Sequence, residues 1–245
     1  MLFGVLRGNM DITSVIVELL ALLMVIFLVL PFHEWAHAFT ALKLGDTSIR
    51  YRGRLTLNPL AHIDPMGSLM LLLFGFGWAK PVPVDSRNFK RPKLYMGITA
   101  LMGPVANLLA ATVGGLAINA LSKFRPDMVN EYFFATYYGA QKGFGYYLLL
   151  FLIMYTSVNV ALAVFNLLPI PPLDGSKVLF VLLPDKAVQT VYRYERYIMM
   201  GLMGLLLISV MNIPVLSDAI TFPLDFLRDK LFDGIMWLTA LPFGL

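Results

Sequence analysis

The sequence predicts an all-α polytopic membrane protein: about four core transmembrane helices, a re-entrant or extended segment after the first, and a C-terminal amphipathic helix. Three observations carry that prediction. Charged residues make up 14% of the 245-residue chain, against about 25% in an ordinary soluble domain. Hydrophobic residues make up 58%. The stretches 94–122, 143–173 and 197–217 contain no Asp, Glu, Lys or Arg, and each reaches the ~20 residues a helix needs to cross the hydrocarbon core. With the apolar run 19–32, these make four candidate spans. Residues 1–217 then form a membrane-embedded core, and residues 218–245 an amphipathic segment at the interface.

Asp11 and Thr13 can cap a first helix that Gly45 ends after Leu44. At 1.5 Å per residue this helix exceeds the bilayer core, so it tilts or protrudes. The connection 43–93 carries nine Lys or Arg against three Asp, an excess that marks the cytoplasmic side. Inside it, "MGSLMLLLFGFGWA" (66–79) is apolar but too short to span. "KPVPVDSRNFKRPK" (80–93) reads as extended chain because its prolines interrupt regular structure.

The second span, Tyr95 to Leu121, carries Ala106, Ala110 and Gly114 at a spacing of four, a stripe against which another helix can pack closely. Residues 123–142 read as a connection rich in interface-seeking aromatics. The third span, Tyr146 to Leu168, breaks at "PIPPLDG", where prolines remove helix donors. A basic connection, 184–196, leads to the fourth span, Tyr197 to Leu216. In the tail, Leu224, Leu227, Leu231, Ile235 and Leu238 share a helical face, which fits a helix lying in the interface. With 43–93 and 184–196 both cytoplasmic, span parity puts both chain ends outside. The basic residues sit beside membrane spans, so no nucleic-acid partner is expected.

Against this background "PFHEWAH" (31–37) stands out. Ionisable groups at membrane depth need a partner or a cavity. His33 and His37 are four residues apart, hence on one helix face, and two imidazoles so placed can hold one metal ion. Glu34 points about a quarter-turn away and can reach an activated water without binding the metal, the logic of the H-E-x-x-H hydrolases. The chain has no cysteine, and a thiolate-free imidazole site suits zinc. A catalytic zinc takes three protein ligands. Asp174 is the leading candidate for the third, since it follows the proline break at the same expected depth as the histidines. His62 and Asp64 are rivals, with turn organisation as their alternative role.

Taken in order, "FHEWAH" and then "NLLPIPPLDG" resemble the motifs of the site-2 protease family of intramembrane zinc metalloproteases: His33, Glu34 and His37, then Asn166, Pro169, Asp174 and Gly175. "GPVANLL", with Gly103, Pro104 and Asn107, resembles a third family motif. "LNPLAHIDPMGSL" is similar to the compact branch that stands alone, and the chain has no room for the PDZ or CBS domains of other branches. The resemblance covers about residues 15 to 183.

It implies an endopeptidase that cuts within or near the transmembrane helix of a membrane-protein substrate in the lipid bilayer. Glu34 would be the general base, and His33, His37 and Asp174 the zinc ligands. Asn107 and Asn166 would hydrogen-bond the unwound substrate backbone. The plasma membrane of a prokaryote is the expected location, with the site toward the cytoplasm. The alternatives are a catalytically silent relative that binds membrane proteins, and another membrane zinc peptidase such as a prenyl-protein protease.

Overall fold

The structure is a computed structural model that describes residues 12–74, 77–210 and 214–244. The first helical column comprises α1 (Ile12–Met24), a π-helical turn (Val25–Val29) and α2 (Leu30–Leu44). Pro31 sits at the junction. It has no N–H for the carbonyl one turn back, and a widened turn is one way to absorb that loss. Gly45 ends α2 at φ 119°, a left-handed conformation that glycine adopts without a Cβ clash. The expected cap Asp11 lies outside the described residues. Thr13 is already inside α1.

The connection that follows contains α3 (Pro59–His62), α4 (Pro65–Phe74) and two 3-10 helices, Thr47–Arg52 and Ser86–Asn88, and is otherwise irregular up to α5 (Pro92–Phe124). As expected for 66–79, α4, at 10 residues, is too short to cross a bilayer. It packs Leu71 against Leu22 and Ile26 of the first column. After α5 come α6 (Pro126–Tyr138), α7 (Phe144–Asn166), α8 (Asp174–Phe180), α9 (Asp185–Val210) and α10 (Pro214–Ala240).

Helix α5 is the hub, in contact with α2, α7, α8 and α10. The small-residue stripe explains its tightest approach. A Cβ at Gly114 would collide with Thr156 Oγ1 of α7, so the two helices meet almost backbone to side chain. At the C-terminal end of α10, the Asn119 Nδ2 of α5 donates to the Met236 carbonyl at 2.9 Å and to Thr239 Oγ1 at 2.8 Å. Leu224 and Ile235 of α10 cover Ala111, Val160 and Val164. Of the apolar face expected in the tail, Leu224 and Ile235 thus lie along α5 and α7, while Leu227, Leu231 and Leu238 stay exposed.

Among the described residues, three helical stretches are long and apolar enough to cross a membrane: Val15–Leu44, Pro92–Phe124 and Phe144–Asn166. Their outer faces expose Phe27, Leu28, Leu109 and Val113. Such a belt is costly in water and suits lipid. The fourth expected span, Tyr197 to Leu216, is divided between the end of α9 and the start of α10, with 211–213 outside the described residues. Two stretches expected as plain connections are helical. Residues 126–138 form α6, which packs on α7, and most of 184–196 opens α9. In both, charged and aromatic residues interrupt hydrophobicity without interrupting helix formation.

Candidate active site

His33, Glu34 and His37 occupy consecutive turns of α2 and are all buried, at 5%, 8% and 7% exposure. Asp174 opens α8, at 8% exposure. The proline-broken link between Asn166 and Asp174 turns the chain so that α8 begins beside α2. Gly175 makes the close turn possible, because a Cβ there would strike the Leu167 and Leu168 carbonyls at the end of α7.

The four-residue spacing brings His33 Nε2 and His37 Nε2 to 3.0 Å. Asp174 Oδ2 lies 3.3 Å from the first and 3.2 Å from the second. These three donor atoms lie within 4.8 Å of one another, in a cluster able to hold a metal ion.

The outward-facing nitrogens explain which atoms are free to bind. His37 Nδ1–H donates to the Thr99 carbonyl at 2.7 Å. His33 Nδ1–H donates to Asn107 Oδ1 at 3.3 Å. With each neutral ring donating through Nδ1, both Nε2 atoms carry lone pairs. Two lone pairs and a carboxylate oxygen at such short range repel one another unless protons or a metal cation lie between them. Two imidazoles and one carboxylate form a donor set that suits zinc and leaves a coordination position open.

Asp174 divides its oxygens: Oδ2 faces the histidines, while Oδ1 lies 3.3 Å from Lys177 Nζ. When protons lie between these atoms, burial opposes its charge, but attraction to His37, hydrogen bonds from His33 and His37, and the Lys177 charge outweigh burial and hold the carboxyl well below the usual carboxylate range. A carboxyl that holds a metal in place of those protons must also be ionised.

Helix α5 closes the site from the opposite side. Gly103 faces the imidazoles so closely that a Cβ would collide with His33 Nε2 and His37 Nε2. The next residue, Pro104, lies inside the helix and has no N–H for the Ala100 carbonyl. Asn107 is completely buried, and its Nδ2 has no hydrogen-bond partner.

The remaining sequence candidates lie elsewhere. Asn166 ends α7, and its Nδ2 donates to the Leu162 carbonyl at 2.9 Å. His62 is buried, and its Nε2–H donates to the Thr56 carbonyl at 2.8 Å. Asp64 Oδ1 accepts from Gly67 N–H at 2.8 Å. Both rivals organise turns, and neither joins the cluster of His33, His37 and Asp174.

Sequence reasoning missed Thr99, Gly103 as a cradle, and Lys177. The Lys177 spacing, one turn after Asp174, was visible in the sequence. Thr99 acts through its main-chain carbonyl, which no side-chain pattern announces.

The sequence pattern of Peptidase family M50 matches residues 21–210. Among curated proteins, the chain is 35% identical over 218 residues to a Bacillus subtilis (strain 168) protein named "Putative zinc metalloprotease YwhC". That match covers 86% of this chain and 91% of the relative. Proteins carrying the corresponding name Rip2 are 33% identical in Mycolicibacterium smegmatis, over 148 residues, and 32% identical in Mycobacterium tuberculosis (strain H37Rv), over 147 residues. Each of these covers 58% of this chain and 49% of the relative. No solved structure matches the chain significantly. The matched stretch 21–210 includes both histidines and Asp174, and the YwhC match runs over most of both chains. The chain belongs to peptidase family M50, the site-2 protease family, and is a membrane zinc metallopeptidase.

Proposed function

We propose that the protein is an intramembrane endopeptidase that hydrolyses a peptide bond within or near the transmembrane helix of membrane-protein substrates. His33, His37 and Asp174 hold the zinc ion, and Glu34 is the general base. The observation that carries this reading is the convergence of three ligand atoms within 4.8 Å, beside a buried glutamate that belongs to none of them. When bound, zinc supplies Lewis-acid polarisation and lowers the pKa of water toward about 7.

The rest is done by the chain's own groups. Glu34 accepts a proton from the attacking water and returns it to the leaving amine. The Thr99 carbonyl and Asn107 Oδ1 hold the two imidazoles in the ligating tautomer. A substrate helix presents its peptide bonds already paired, so it unwinds before it is cut. Asn107 keeps an unpaired Nδ2 donor for the exposed backbone, and Asn166 offers a second amide at the end of α7. The protein sits in the plasma membrane of a prokaryote with this site toward the cytoplasm, in line with the nine Lys or Arg against three Asp in 43–93.

The test compares membrane-protein fragments from cells making the parent chain with those from cells making Glu34→Gln. Fragments ending inside or beside a transmembrane segment are expected only with the parent. Identical fragment sets would remove the peptidase reading.

A further inference from the structure

One oxygen of Glu34 is already engaged. Oε2 accepts the Val82 N–H at 3.0 Å, from a residue 48 positions along the chain. Val82 stands between Pro81 and Pro83, which have no N–H. The triplet therefore contains a single main-chain donor, and Glu34 takes it. Both prolines are exposed, so they add little burial. What they contribute is a fixed φ and the absence of competing donors.

The triplet is tied on both sides. Lys80 N–H donates to the His62 carbonyl at 2.7 Å, and Val84 N–H to the Val82 carbonyl at 3.0 Å. Asp85 N–H donates to Asp46 Oδ2 at 2.8 Å. Val82 and Val84 also pack against the cluster of Ala38, Ala41, Ile49 and Phe89. A stretch without N–H at 81 and 83 is a poor edge for an incoming extended chain, because the donors of a ladder are missing.

We propose that Pro81-Val82-Pro83 is a positioning strap for Glu34. Its one N–H holds Oε2, and so leaves Oε1 in a fixed direction as the oxygen that takes the proton. This inference rests on the reading of Glu34 as general base. The strap touches no substrate. It acts by restricting the carboxylate to one orientation, and an unrestrained base loses rate because small misplacements in an active site are expensive.

The test replaces Val82 with the α-hydroxy acid of the same side chain. This turns the Pro81–Val82 amide into an ester and removes only the N–H. The purified zinc-loaded ester variant is expected to lose about ten-fold in kcat, with KM within about two-fold and full zinc content. Val82→Ala, which keeps the N–H, retains most of the rate that the ester loses. A second measurement needs neither activity nor zinc. In 15N-valine-labelled protein the Val82 amide exchanges slowly with solvent, and in Glu34→Ala it exchanges fast.

An ester variant with unchanged or higher kcat overturns the strap. Equal Val82 exchange in parent and Glu34→Ala does so as well. A parent chain without peptidase activity instead overturns the proposed function, and the exchange experiment still reports on the contact.

Discussion

At the residue scale, the site depends on small groups that hold larger ones. Asn107 gives its carbonyl oxygen to His33, so Asn107→Ala removes the group that orients a proposed ligand while leaving all three proposed ligands in place. Losing such a partner typically costs 10- to 100-fold in metal affinity, and competition with a chelator should read a drop of that order. A variant with parental affinity would take Asn107 out of this role.

Gly103→Ala acts more bluntly. Its Cβ would enter the space shared by the two Nε2 atoms, so the purified variant should contain well under one zinc per chain. The identity of the third ligand is open to the same metal analysis. Asp174→Ala leaves two ligands where three stood, and both zinc and activity should fall. His62 donates to Thr56 away from the cluster, so His62→Ala should keep zinc near stoichiometric. The reverse pattern, with zinc kept in Asp174→Ala and lost in His62→Ala, would refute the proposed ligand set.

At the scale of elements, the irregular connection 45–91 is tethered through one buried carboxylate. Asp46, fully buried just after α2, accepts from Ser48 N–H at 3.2 Å and Ser48 Oγ at 2.6 Å. It also accepts from Asp85 N–H at 2.8 Å and Asn88 Nδ2 at 2.7 Å. Burial opposes its charge. The hydrogen bonds, led by the Ser48 hydroxyl, outweigh burial and hold its pKa below the usual carboxylate value. A depressed folded-state pKa contributes stability above the unfolded value of about 3.9 and loses it as pH falls through the folded one.

Acidification through the folded-state pKa, which lies below about 4, should therefore release the 85–88 turn. Exchange of the Asp85 amide, compared at pH 6 and below pH 4 after correction for intrinsic rates, measures that release. Protection that persists in acid would show that other contacts hold the turn. Asp46→Ala should produce the same loosening at neutral pH, seen as faster proteolysis between α2 and α5.

At the scale of the molecule, the helices around α5 put the site at one end of the bundle. The His33, His37 and Asp174 group lies where α2, α5 and α8 meet. The aromatic helix α6 joins the far ends of α5 and α7, with Glu131 accepting from Gly145 N–H at 3.2 Å. The topology proposed from charge bias predicts that Lys90 faces the cytoplasm and Tyr138 the exterior. Both are exposed, and the chain has no native cysteine to interfere. Lys90→Cys should be labelled by a membrane-impermeant maleimide only after the membrane is opened, and Tyr138→Cys in intact cells. The opposite pattern inverts the protein in the membrane.

How much of this was legible in the sequence follows from where each feature's information resides. The spans are legible because lipid obliges each helix to satisfy its own main chain and to display apolar side chains, so composition along the chain suffices. The pairing of His33 with His37 is legible because an i, i+4 spacing is a property of one helix. That Asp174 could come beside the two histidines is legible because the proline break and its glycine mark a chain reversal after the third span.

The helices α6 and α9 were not legible as such, since their charged and aromatic residues carry no span signal although the backbone is helical. Nor were the contacts that complete the site, although Asn107 was legible as a site residue, if not as the partner of His33. The Thr99 carbonyl reaches His37 across 62 residues, Asn107 reaches His33 across 74, and the Val82 N–H reaches Glu34 across 48. Two of those three groups are main-chain atoms, which every residue has in nearly the same form. Only the packing of α5 and of the 80–85 segment against α2 decided which of them would face the site.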